Sequence, residues 1–218
     1  MNTINLARMV DHTVLRPETS HDDIVNLCSE ANALNVFAVC VPSSWVHSAA
    51  LALAQSPVAV ATVVGFPSGA VLTAVKAFEA QKAIVSGADE IDMVINLGAL
   101  KSGDWDLVSR DILTVRQASI GSVLKVIIEA AALTDDEIRR VCRVVADSGA
   151  DFVKTSTGFH PNGGATVQQV QLMRDSIPDG MGLKASGGIR TLEQALAMVD
   201  AGATRLGMSA TRSILQSL

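Results

Sequence analysis

The chain has 218 residues, 49% of them hydrophobic and only 18% charged, so it can bury a sizeable core in one domain and carries no long disordered tract. Its formal net charge of −5 gives neither nucleic acid nor an anionic membrane surface a reason to bind. Cys28, Cys40 and Cys142 are widely spaced, odd in number and free of Cys-x-x-Cys pairing, which speaks against a disulfide framework and a zinc site and for a reduced compartment.

The opening residues lack the apolar core of a signal peptide, and no later run approaches the roughly 18 apolar residues of a membrane span, so a cytoplasmic, soluble protein is expected. A first strand is predicted at residues 9–13. Runs rich in β-branched residues follow at 37–41, 58–64, 91–95, 123–128, 152–153, 183–185 and 205–208, with helical periodicity between them. Strands alternating with helices predict a parallel sheet, and eight of them predict an α/β fold of the (β/α)8 TIM-barrel kind, a single domain over residues 1–218. Thr134-x-x-Glu137, Thr166-x-x-Gln169 and Thr191-x-x-Gln194 have capping-box spacing and predict helix starts. Gly87, Gly149 and Gly202 each stand just before a strand, where glycine takes the left-handed conformation that ends a helix.

Lys154, in Phe152-Val153-Lys154-Thr155-Ser156, and Lys184, in Gly182-Leu183-Lys184-Ala185-Ser186, interrupt otherwise apolar strands. Burial depresses a lysine pKa by up to roughly 3–5 units. A second ammonium within about 5 Å adds about two units at an effective dielectric of about 20. One lysine can therefore hold the other neutral near pH 7, as a nucleophile. Period-two alternation puts Lys154 with Ser156, Lys184 with Ser186, and Asp92 on inward faces, so both lysines and the carboxylate are expected to share one cavity. The same pattern also suits a purely structural ion-pair network. Lys125, near the start of its strand, reads as such a structural partner, while Glu129 stands at the loop end of that strand.

Asp11 and Thr13 offer a further acid and hydroxyl on the first strand; His12 and Cys40 read as packing residues. The turns Ser186-Gly187-Gly188, ahead of a helix at Thr191, and Gly207-Met208-Ser209 can bring backbone amides close to a phosphate. Both fall after strands seven and eight, where barrels commonly bind it. The Gly- and Pro-containing loop 158–165 follows the Lys154 strand directly. His12, His21, His47 and His160 are scattered without ligand spacing, so no metal is expected, and there is no P-loop or dinucleotide fingerprint.

Val10-Asp11-His12-Thr13, Val39-Cys40-Val41-Pro42, Val64-Gly65-Phe66-Pro67, Lys154-Thr155-Ser156-Thr157-Gly158-Phe159 and Lys184-Ala185-Ser186-Gly187-Gly188-Ile189-Arg190-Thr191, in this order, resemble the deoxyribose-phosphate aldolase family over nearly the whole chain. The resemblance implies a class I aldolase that reversibly cleaves 2-deoxy-D-ribose 5-phosphate to D-glyceraldehyde 3-phosphate and acetaldehyde without metal or organic cofactor. It implies that Lys154 forms the Schiff base, Lys184 lowers its pKa and Asp92 relays protons. Substrate contacts are expected from Asp11, Thr13, Thr157, Gly158, Ser186, Gly187, Gly188, Gly207 and Ser209. A sugar phosphate, aldehydes and a second copy of the chain, as a homodimer, are the expected partners. Arg16-Pro17 departs from the family's Lys-Pro, Ser209-Ala210 from a Ser-Ser pair, and Ala130 from a threonine after the glutamate; without any tyrosine, no role for a C-terminal tyrosine carries over. The residues by themselves leave two other readings open: a lysine aldolase acting on a different aldehyde pair, and a sugar-phosphate-binding barrel without catalysis.

Overall fold

A computed structural model describes residues 5–218. Eight parallel strands close into a barrel in sequence order: β1 Val10–Thr13, β2 Ala38–Val41, β3 Ala59–Val64, β4 Glu90–Val94, β5 Val123–Ile127, β6 Phe152–Lys154, β7 Gly182–Ser186 and β8 Arg205–Met208. The expected strands all form, with ends moved by a residue or two. Around them lie α1 His21–Ala33, α2 Val46–Ala52, α3 Thr73–Val85, α4 Leu97–Lys101, α5 Trp105–Ala118, α6 Asp135–Asp147, α7 Val167–Arg174, α8 Leu192–Asp200 and α9 Thr211–Leu215.

Alternation along the strands separates two different interiors. Outward residues such as Val10, Val39, Ile91, Val126, Val153, Leu183 and Leu206 are fully buried against the helices and form the main apolar core. The inward residues include seven charged side chains, Asp11, Glu90, Asp92, Lys125, Lys154, Lys184 and Arg205, with a small apolar cluster of Ala38, Cys40, Ala61 and Val63 beside them. The N-terminal end of the barrel is closed by aromatics: the Arg205 guanidinium lies 3.6 Å from the Phe37 ring centroid and 5.3 Å from that of Phe152. Gly182 makes the room, since a Cβ there would fall 2.3 Å from the Phe152 ring.

Complete capping boxes start α6 at Thr134 and α8 at Thr191, as their spacing predicts, and a third starts α1 at Ser20 with Asp23. At α7 the box does not close. Thr166 accepts from the Gln169 amide, but the Gln169 side chain does not return the bond, and its Oε1 is buried without a partner. Gly87, Gly149 and Gly202 have the expected positive φ at the helix-to-strand corners. All three cysteines are free and buried. Among the described residues no helix is long and apolar enough to cross a membrane.

Candidate active site

Each inward side chain owes its place to its position on a strand. Glu90 and Arg205 are the first residues of β4 and β8, and so lie at the closed end. Asp11, Asp92, Lys125 and Lys184 occupy the middle of β1, β4, β5 and β7, while Lys154 is the last residue of β6. The β6–β7 register sets Lys154 directly against Lys184, and the β4–β5 register sets Asp92 against Lys125.

Asp92 is the centre of the arrangement. Its Oδ2 accepts from Lys154 Nζ and from Lys184 Nζ, both at 2.7 Å, and its Oδ1 accepts from Lys125 Nζ at 2.6 Å. Lys184 also donates to Asp11 Oδ2, whose other oxygen takes a 2.8 Å bond from Arg205 Nη1. Glu90 completes the ring, 2.6 Å from Lys125 and 3.0 Å from Arg205. Lys125 thus reaches the heart of the site, although its early position in the strand suggests a distant structural partner. Sequence reasoning missed Glu90 and Arg205. The available signal was their parity, two residues before Asp92 and two before Gly207 on the same inward faces.

A cavity of about 600 Å³ opens at the C-terminal end of the barrel. Lys154, only 3% exposed, lines it; Asp92 and Lys184, at 0%, lie beneath its floor. The expectation of a cavity shared by both lysines and Asp92 is therefore corrected: a single lysine lines the cavity, and the other two groups lie behind it. Thr13, Thr157, Gly158, Ser186, Gly187, Gly188, Gly207 and Ser209 all line the cavity. Asp11, expected among the substrate contacts, does not, because Lys184 and Arg205 hold it fully inside the barrel. Ser156 is also buried away from the cavity, its hydroxyl without a partner.

Burial pushes the Lys154 amine below its ordinary value; Asp92 opposes this, and Lys184 adds to it. Burial works against the Lys184 charge as well, but Asp11 and then Asp92 outweigh it and hold its pKa above that of a free lysine. Burial would raise the Asp92 pKa, yet Lys125, Lys154 and Lys184 together hold it well below the usual carboxylate range. The two lysines, neighbours on adjacent strands, are thus driven apart chemically: the Lys184 ammonium holds its proton more tightly than a free lysine, and the Lys154 ammonium gives its proton up more readily. Desolvation comes before lysine–lysine repulsion as the cause, a shift of emphasis from the sequence expectation.

The cavity walls are built by loops. Glu129, at φ +53°, turns back at the end of β5 so that its Oε2 accepts from Thr157 Oγ1 at 2.5 Å. This fixes the start of loop 158–165. The loop then lies backbone to backbone on Gly187, with the Ala165 amide donating to the carbonyls of Ser186 and Gly187 at 3.1 Å. Gly187 and Gly188, at φ +86° and +82°, make the turn that enters α8. Arg16, Arg190 and the Gly207–Ser209 turn line the cavity together with it, so the lining holds guanidinium groups and glycine turns, features suited to an anion. His12 packs as expected, its Nδ1 2.9 Å from Thr211 Oγ1, and also borders the cavity.

Comparison with known proteins identifies this barrel and its lysine-bearing cavity as an aldolase scaffold, a carbon–carbon lyase. The profile of the DeoC/LacD family of aldolases matches residues 6–217, and the chain belongs to that family. A deoxyribose-phosphate aldolase of Kocuria rhizophila is 54% identical over 214 residues, which span 98% of this chain and 96% of that one. Another, of Mannheimia succiniciproducens, is 50% identical over 218 residues, covering 100% and 97%. The tetrameric deoxyribose phosphate aldolase of Aeropyrum pernix superposes with a TM-score of 0.90 at 34% identity, covering 97% of this chain and 90% of that one.

Proposed function

We propose that the protein is a class I aldolase that reversibly cleaves 2-deoxy-D-ribose 5-phosphate to D-glyceraldehyde 3-phosphate and acetaldehyde. The observation that carries this reading is that Lys154 alone, of the network's basic groups, lines the cavity and has its pKa pushed down. The Lys154 amine attacks the C1 aldehyde of the open-chain sugar, and loss of water gives a protonated imine. The imine accepts the electron pair of the C2–C3 bond as that bond breaks, while the C3 hydroxyl loses its proton. Glyceraldehyde 3-phosphate leaves, and the remaining enamine is protonated at C2 and hydrolysed to acetaldehyde.

Asp92 guides the proton movements of these steps. It touches Lys154 directly and is kept ionised by Lys125 and Lys184, so it orients the Lys154 nitrogen and passes a proton between that nitrogen and the carbinolamine oxygen, through a solvent molecule in the cavity, without holding it. The glycine turns after β7 and β8, with Arg190, receive the phosphate. A cytoplasmic homo-oligomer, a dimer in the first instance, accompanies this reading.

The test is borohydride reduction in the presence of 2-deoxyribose 5-phosphate, followed by intact mass and peptide mapping. The wild type is expected to carry one reduced adduct, on Lys154, and Lys154→Leu none. Binding of the sugar phosphate with no adduct in either protein overturns the aldolase reading in favour of a binding barrel.

A further inference from the structure

The buried network contains three carboxylates, Asp11, Glu90 and Asp92, and four basic groups, Lys125, Lys154, Lys184 and Arg205. With every group ionised it would hold one uncompensated positive charge in a space with almost no solvent, a costly state that the loss of a single proton relieves. The geometry says which group loses it. Lys125 lies within 3.6 Å of all three carboxylates, and Lys184 bridges Asp11 and Asp92. Arg205 bridges Asp11 and Glu90 and, as a guanidinium, does not deprotonate. Lys154 pairs with Asp92 only, and it stands at the open edge.

We infer that Glu90 and Arg205, at the closed end of the barrel and outside the cavity, are positioning residues that set the charge balance of this network and thereby the pH at which Lys154 becomes a nucleophile. The inference rests on Lys154 being the imine-forming lysine. Glu90 acts through Lys125, whose other short bond is to Asp92 Oδ1. Arg205 acts through Asp11, which shares Lys184 with Asp92. Taking the negative charge from Glu90 adds to the positive excess and expels the Lys154 proton at lower pH. Taking the positive charge from Arg205 balances the network with Lys154 still protonated and delays its deprotonation to higher pH.

The groups that face Lys154 are Asp92 from β4 and Lys184 from β7, with Lys125 and Asp11 behind them and the Cys40 thiol of β2 alongside. Burial raises the pKa of that thiol, so it stays neutral and leaves the count unchanged. Glu129, held by Thr157, and the cavity-lining His12, Asp23, Glu30, Arg16 and Arg190 are common to every variant compared.

The experiment is the acid limb of kcat/KM for the full chain in the wild type, Glu90→Gln, Arg205→Gln, the double variant and Arg205→Lys. Circular dichroism is used to confirm folding, and the borohydride adduct is mapped in each. The limb is expected to move about one pH unit down in Glu90→Gln and about one unit up in Arg205→Gln, the effect of a unit charge about 10 Å away at an effective dielectric of about 20. It returns to the wild-type position in the double variant and stays there in Arg205→Lys. Limbs that do not move, or that move in one direction for both single variants, with the adduct still on Lys154, overturn the inference. An adduct on another residue of the wild type would sink the imine assignment instead. If Arg205→Gln does not fold, a downward shift in Glu90→Gln with none in Arg205→Lys supports the inference, and a wild-type limb in Glu90→Gln rejects it.

Discussion

Lys154 donates to Asp92 at 2.7 Å, an ion-pair geometry, and yet its charged form is disfavoured. The resolution lies on the far side of the carboxylate. Asp92 already receives Lys125 on one oxygen and Lys184 on the oxygen that Lys154 also uses, so little of its field is left to offset the desolvation of a third ammonium. A contact that would fix a lysine as a cation on a protein surface here leaves its pKa below that of a free lysine.

Replacing Lys184 by leucine should expose both of its roles. With that cation gone, Asp92 is free to stabilise the Lys154 charge, so the acid limb of kcat/KM should move to higher pH, and turnover at pH 7 should fall more than at pH 9. The raised pKa of Lys184 means that its stabilising contribution is fully present below the unfolded value of about 10.4 and is lost only as pH rises through the folded value. The variant should therefore lose that contribution throughout the neutral range, about 3–5 kcal/mol in urea denaturation at pH 7. An unchanged limb would remove Lys184 from the control of Lys154.

Acid stability should depend on Asp11. Burial would raise its pKa, but Lys184, Lys125 and Arg205 outweigh that and hold it low. A carboxylate of this kind contributes stability that is present above an unfolded pKa of about 3.9 and lost as pH falls through the folded value. The melting temperature of the wild type should therefore drop steeply below about pH 4. Asp11→Asn should start lower at pH 7 and show a flatter slope in the same acid window, and parallel slopes in the two proteins would contradict this account.

The approach of loop 158–165 to β7 depends on Gly164, where a Cβ would stand 2.2 Å from the Gly187 carbonyl oxygen. Gly164→Ala should push the loop off Gly187 and break the Ala165 amide contacts while leaving Lys154 and Asp92 in place. The expected result is a KM for the phosphorylated sugar on the order of tenfold higher, equivalent to about 1.4 kcal/mol of binding, with kcat changed less. Reductive trapping of acetaldehyde, which has no phosphate, should proceed near the wild-type rate. Equal losses for both compounds would mean that the loop supports the lysine and not the phosphate end.

The strand positions, the helix starts at Thr134 and Thr191 and the glycine corners were legible in the sequence because they rest on patterns and contacts among residues close along the chain. Lys154, Lys184 and Asp92 stood out for a related reason: a charge inside an apolar strand costs energy unless something distant offsets it, and the cost shows locally. What offsets it does not. Arg205 meets Asp11 across 194 positions and Lys184 meets Asp11 across 173, and Lys76 of α3 meets Asp111 of α5 in a buried pair that neither helix announces. Sequence alone determined that buried lysines and carboxylates must find partners; closure of the barrel decided which. It also decided that Lys154, ending its strand, faces the cavity, while Lys184, Asp92 and Asp11, lying deeper along theirs, sit behind it in a place no solvent reaches.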